Sequence, residues 1–228
     1  MEACTVERCG WPLSQDHCRV IEAVLQANGL KFKCSFTNQG CEEQWPKNEM
    51  ICHEIECVYR PIQCPIMKCK MKIPIRDLFR HVEQNDGFRM LDNSMTTGCN
   101  FWYTQTCGQL HFEHGNFSFG PIKILFEGSV FLFQTVQFGG RESIYCWIQL
   151  VGSPIEAKNY YYTLGFSGID PNIRSSYTGQ VFSLDESADN IISMNKCFGI
   201  NFEMFKAQFM DRRTRTFKVL ICIKNVRR

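Results

Sequence analysis

The spacing of apolar positions changes character partway along the chain. Val20, Ile21, Val24 and Leu25 form one stripe at helical spacing. Ser14 is suited to cap the free N–H groups of a first turn, and Asn28-Gly29 supplies a left-handed stop. A helix over 14–29 is therefore expected, its stripe a packing face. Pro74 followed by Ile75, Leu78, Phe79 and Val82 predicts a second helix, with His81 near its end. After residue 98 the pattern becomes strand-like. CNFWYTQT, FSFGPIKILF, SVFLFQTVQF, SIYCWIQLV, NYYYTLGFSG and FKVLICI are rich in Phe, Tyr, Val and Ile, and most are bounded by Gly, Ser, Asn or Pro. Six such runs, mostly without long helical patterns between them, predict an antiparallel sandwich. In SVFLFQTVQF, Val130, Leu132, Val136 and Phe138 alternate with Phe131 and Phe133, so both faces are apolar. Such a strand is either packed on two sides or meets a partner with its outer face.

Composition supports a boundary at the same place. Fifteen of 19 Phe and six of seven Tyr follow residue 90, whereas nine of 14 Cys lie in the first 69 residues. Asp, Asn, Ser, Thr and Gly cluster between Gly87 and Gly98. The chain of 228 residues carries 25 Lys and Arg against 23 Asp and Glu, a formal charge of +2. That balance argues against bulk nucleic acid or an anionic membrane as partner. The tail from Asp211 to Arg228, with seven Lys or Arg, is read as solvated strand and terminus charge. No stretch is long and apolar enough for a membrane helix, and no secretory signal is visible. A cytoplasmic chain, with the nucleus as second compartment, is expected. No Gly-rich phosphate loop occurs, and Asp92, His111 and His114 have no positioned nucleophile beside them, so no catalytic site is assigned.

The cysteines carry the chemistry. Cys34, six residues, Cys41, eleven residues, His53, three residues and Cys57 make one set. Cys64, four residues, Cys69, eleven residues, His81, four residues and Asp86 make the other. The shared interval between second cysteine and histidine describes a short hairpin with two thiols, then a helix that returns an imidazole. Thiolates and imidazole at four corners suit zinc, so two structural Zn2+ ions are expected. Disulfides or free buried thiols are the alternative. The fourth donor of the second set is open: Asp86 is the nearest competent group, with Gln84 and water as alternatives. Cys52 is expected to be a free thiol. The isolated cysteines after residue 90 are expected to behave as small buried hydrophobes.

These spacings resemble the seven-in-absentia (Siah/Sina-type) ubiquitin ligases, whose pattern runs C-x6-C-x11-H-x3-C-x6-C-x6-C-x11-H-x4-H. Cys34, Cys41, His53, Cys57 and Cys64 match it. Cys69 and His81 match after a two-residue deletion, and Asp86 stands at the final histidine position. YRPIQCP, Tyr59 to Pro65, is similar to the family's joint between fingers, and the CFGINFEMF segment and YYTLGF are similar to its substrate-binding domain. The resemblance implies a mainly β chain with small α+β zinc modules: tandem Siah-type zinc fingers followed by an antiparallel TRAF-like β-sandwich. The expected domains are 1–30, the end of a RING plus a linker helix; 31–90, the two fingers; and 91–228, the substrate-binding sandwich.

A RING recruits the ubiquitin-conjugating enzyme and needs eight ligands. Before Cys34 this sequence offers only Cys4, Cys9, His17 and Cys18. The expected function is therefore the substrate-recognition and dimerisation portion of a Siah-type ligase, without autonomous ligase activity. Its partners would be protein substrates or degron peptides, a second copy or a full-length paralogue, and a conjugating enzyme only where a RING is supplied. A zinc-finger adaptor or nucleic-acid-binding protein is the competing reading. The resemblance places the family's peptide-reading strand at Gly120 to Phe126, with Ile122 at the position of its aromatic anchor and Ile124 beside it. Their alternative role is plain core.

Overall fold

The computed structural model describes residue 24 and residues 29–66, 69–84, 100–106, 118–137 and 142–226. The chain divides into two compact units, residues 1–60 and 61–228. The helix expected over 14–29 lies outside the described residues, apart from Val24, which is helical and exposed, and Gly29, which takes the left-handed φ of +61°.

In the first unit β1 (Phe32–Lys33) pairs antiparallel with β2 (Gln44–Trp45), and α1 (Lys47–Glu56) follows. Pro46 stands just outside α1, where its missing N–H costs nothing. The hairpin between Cys34 and Cys41 closes through a 3-10 turn over Thr37–Gln39. Gly40 ends that turn at φ +103°, and a Cβ there would stand 3.0 Å from the Tyr59 ring, so any other residue would be strained and crowded. The apolar interior is small: Cys34, Cys41, Met50 and Cys57, with Phe36 and Tyr59 packed against them.

The second unit begins with β3 (Pro61–Gln63) paired to β4 (Lys72–Pro74), a 3-10 turn over Ile75–Asp77, and α2 (Leu78–Gln84). As the spacing predicts, α2 buries Leu78 and Val82.

Two sheets then form the sandwich. The first joins β5 (Asn100–Thr106), β9 (Tyr160–Ser167), β10 (Arg174–Gln180) and β13 (Thr216–Asn225), in the order β10-β9-β13-β5. The second holds β6 (Ser118–Phe126), β7 (Ser129–Gln137) and β8 (Ser143–Leu150) as a meander. Along its other side β8 pairs with β11 (Phe182–Ser183) and β12 (Phe198–Asn201). Among the described residues β6 is the edge strand of this sheet. All six runs read as strands are strands. Among the described residues the ladders are antiparallel except for the two-residue pairing of β11 with β8, which is parallel.

Short helices α3 (Pro154–Ala157), α4 (Ala188–Ser193) and α5 (Phe202–Phe209) are capped by Ser153, Ser187 and Asn201, whose side chains accept from Glu156, Asn190 and Met204 N–H. Phe131, Phe133, Ile144, Ile148 and Leu150 meet Tyr162, Leu164, Phe166, Val219 and Ile221 in one core. Phe202, Phe205 and Phe209 of α5 add an aromatic cluster around Phe166 and Phe217.

The outer face of β7 is covered as well. Leu132 is fully buried, in a cluster with Ile62, Cys64, Ile73, Leu78, Val82 and Leu184. Of the two readings of this two-faced strand, packing on both sides is the one observed, and its cover is the β3–α2 module of the same unit. Beside Leu132, buried Gln149 fixes a loop onto the sheet. Its carbonyl accepts from Gln134 and from the Trp147 indole, both at 3.0 Å, and its amide donates to the Ser183 and Glu186 carbonyls.

Candidate metal centres

In the first unit the hairpin delivers Cys34 and Cys41, α1 delivers His53 from its last turn, and Cys57 caps its C-terminus. Cys34 N–H donates to the Glu43 carbonyl and Cys41 N–H to the Phe36 carbonyl, which sets both thiols on one side of the hairpin. Phe36 N–H donates to Cys34 Sγ at 3.4 Å, a bond that favours the charged sulfur. Glu54 ties helix to hairpin by accepting from the Ser35 N–H and hydroxyl.

The four donor atoms lie within 4.8 Å of one another. Cys34 Sγ and Cys57 Sγ are 3.9 Å apart, and Cys41 Sγ is 3.4 Å from His53 Nε2. Tetrahedral zinc with sulfur at about 2.3 Å and nitrogen at about 2.0 Å places its donors roughly 3.5–3.8 Å apart, so this donor set fits the ion.

The second set is built the same way. Cys64 follows β3 and its N–H donates to the Met71 carbonyl; Cys69 N–H donates to the Ile66 carbonyl. Cys69 Sγ lies 3.3 Å from His81 Nε2 on α2, and Cys64, Cys69 and His81 share the 4.8 Å limit. Asp86 lies outside the described residues, as do Cys4, Cys9, His17, Cys18, Asp92, His111 and His114. Cys52 is an exposed free thiol, whereas Cys146, Cys197 and Cys222 are buried in the sandwich and apart from either cluster.

Burial pushes the Cys34 thiol up to about 12 and the Cys64 thiol up to about 11, with the Cys57 thiol raised for the same reason. These thiols resist losing a proton unless a cation takes its place, and a divalent ion at the centre of the donors does so. All four positions of the first set are filled by protein, which leaves no open coordination site for substrate and marks a structural centre.

Ile122 and Ile124 stand elsewhere. Each is 2% exposed and belongs to the sandwich core, opposite Phe133 and Phe131 across the β6–β7 ladder. Their burial matches the alternative role of plain core: the pleat turns them inward, and their neighbours Lys123 and Leu125 face out. Leu125 is exposed, and the Lys123 ammonium sits 4.3 Å from the centre of the Phe79 ring on α2. The covering of the β7 outer face and the closure of Gly40 on Tyr59 gave no motif in the sequence. Their one signal was apolar or small residues where a solvated hairpin or strand has no use for them.

Residues 24–103 match the family model of the Sina zinc finger, and residues 125–219 that of the Sina TRAF-like domain. Among curated proteins the chain is 26% identical to the E3 ubiquitin-protein ligase DIS1 of Oryza sativa subsp. japonica, over 70% of this chain and 52% of that one. It is 26% identical to the E3 ubiquitin-protein ligase siah-1 of Caenorhabditis briggsae, over 82% and 46%, and 24% identical to the E3 ubiquitin-protein ligase SINAT2 of Arabidopsis thaliana, over 76% and 58%. The chain thus spans about half the length of the curated relatives it matches. Its two Cys/His clusters are compatible with two structural zinc ions in a Sina zinc finger. With both signature domains in their expected order, the chain belongs to the Siah-type, seven-in-absentia family.

Proposed function

We propose that this chain is the substrate-recognition and dimerisation portion of a Siah-type ubiquitin ligase, acting in ubiquitin-dependent protein degradation. The observation that carries the reading is the second unit. A zinc module packed through Leu78, Val82 and Leu132 onto a sandwich makes one body that holds a bound protein in fixed geometry. In this reading Cys34, Cys41, His53 and Cys57 hold one zinc; Cys64, Cys69 and His81, with Asp86 as fourth donor, hold the other. Each ion locks a hairpin to a helix and takes no part in a reaction. The domains run 1–30, 31–90 and 91–228, and the chain works in the cytoplasm or nucleus. Where a RING is supplied, the conjugating enzyme joins as a further partner.

Substrates are read at the edge of β6. Its outward N–H and C=O groups have no strand beside them among the described residues, so an extended degron peptide can add as a further strand. Leu125 supplies apolar contact on the outward side. Hydrogen exchange of the full chain, with and without the degron peptide of a Siah substrate, tests this. The β6 amides slow on binding, and Leu125→Asp weakens it. Protection confined to another strand would assign the groove elsewhere. In a transfer assay with conjugating enzyme but no second ligase, this 228-residue chain is expected to build no polyubiquitin. Robust chains would show that it supplies the recruiting function itself.

A further inference from the structure

We propose that a cleft on the first finger docks a lysine- or arginine-bearing segment of a partner protein. The cleft has a volume of about 740 Å3 and runs along the face of α1 that presents Glu49, then Cys52 and His53 one turn on, then Glu56 a further turn on. Glu43, just before β2, contributes a third carboxylate. Trp45, Val58 and Tyr59 supply the apolar surface, and among the described residues the lining contains no lysine or arginine.

The carboxylates divide by use. Glu54, on the same helix, is committed to Ser35. Glu43, Glu49 and Glu56 have no side-chain hydrogen bond or ion pair among the described residues. Three unengaged negative charges around one apolar cleft leave repulsion that a cationic occupant relieves. The metal centre adds to the same field. Zn2+ held by three thiolates and one neutral imidazole carries one net negative charge, and Cys41, His53 and Cys57 form part of the cleft wall.

The indole gives the second half of the recognition. Trp45 stacks against the His53 imidazole, with ring centres 6.3 Å apart and planes at 29°, yet remains 38% exposed. Its cross-strand partner Phe32 is exposed too, so β1 and β2 present two uncovered aromatic rings. An indole face attracts a Lys or Arg head, and the methylene stem of such a side chain suits Val58 and Tyr59. The cleft is far larger than a lone metal ion requires, and its apolar surface has no use for one. A long cationic side chain on a peptide satisfies both features. The inference stands apart from peptide addition at β6, which concerns the other unit, so either can fail without the other.

The test uses the full zinc-loaded chain at physiological salt and three fluorescently labelled peptides of one length: Lys/Arg-rich, the same peptide with acetylated lysines and citrulline for arginine, and Glu-rich. The cationic peptide is expected to bind saturably and the other two weakly or not at all. Trp45→Ala should weaken binding roughly tenfold, the scale of a partly desolvated cation–π contact, while zinc content stays at wild-type level. The double variant Glu49→Gln/Glu56→Gln should weaken it at least as much. Unchanged affinity in Trp45→Ala with zinc retained would reduce the effect to diffuse charge attraction and overturn the site. If Trp45→Ala loses zinc, the double variant decides: unchanged affinity there overturns the proposal, as does equal binding of the charge-neutral peptide.

Discussion

The two zinc modules bring two cysteines and a helical histidine together in nearly the same way, but what supports each differs. In the first, among the described residues, three of the four in the buried cluster are themselves donors: Cys34, Cys41 and Cys57, with Met50 beside them. In the second, Cys64 shares its cluster with Ile62, Ile73, Leu78 and Val82, and with Leu132 and Leu184 from the sandwich. A module that buries little apolar surface cannot offset the entropy of ordering its chain, so the ion must supply the difference. A module seated on a larger core draws on that core. One donor pattern therefore yields a metal-dependent fold in one place and a metal-braced docking element in the other.

The largest expected effect separates them directly. Cys41→Ala should unfold the first finger, since a structural zinc contributes on the order of 10 kcal/mol or more. Hydrogen exchange should show loss of protection over 32–57, and metal analysis should show one zinc lost. Cys69→Ala should also lose one zinc, yet leave α2 protected, because Leu78 and Val82 remain buried. Unfolding of 61–84 in that variant would break the comparison.

A smaller effect probes the seat itself. Leu132→Ala removes a fully buried side chain shared by sandwich and module, and should destabilise the second unit by about 3 kcal/mol. Denaturant unfolding of the second unit measures this, and zinc at the first finger should be unaffected. A loss below about 1 kcal/mol would mean the contact is loose.

The smallest effect is a matter of slope. Zinc binds thiolates, and burial holds the Cys34 thiol up at about 12 and the Cys64 thiol at about 11, so both keep their protons at neutral pH. Zinc affinity should therefore fall as pH is lowered, more steeply at the first centre, with three thiols to reload, than at the second, with two among the described residues. The same raised values favour the metal-free folded form below the ordinary thiol range near 8.5, and that stabilisation disappears as pH rises through 11 to 12. Chelator competition between pH 7 and 8, read separately for Cys41→Ala and Cys69→Ala, gives the two slopes. Equal slopes would argue for a further proton-releasing ligand at the second centre, the role proposed for Asp86 being one that releases none at this pH.

Much of this was legible because the signals were local. Strand periodicity located β5 to β9 and β13 to within a residue or two at most ends. The Cys-x6-Cys-x11-His-x3-Cys spacing defined the first donor set before any geometry, since a hairpin and a helix of fixed rise leave few other ways to satisfy it. Strand β10, RSSYTGQ, escaped because its polar outward residues and single inward Tyr177 carry little hydrophobic contrast. The short helices escaped because four to eight residues hold too little periodicity to stand out.

The chain by itself determined which residues are donors, which runs are strands, and that β7 is apolar on both faces. Only the tertiary structure decided what those faces meet. Ile122 and Ile124 alternate with Lys123 and Leu125 under either reading, and it was the closing of the second sheet over the first that turned the isoleucines into core. Leu132 could equally have awaited a partner; its cover proved to be α2 and the β3–β4 hairpin. Periodicity states that a residue is to be buried. It carries no information on which distant surface does the burying, because that depends on contacts between segments far apart in sequence.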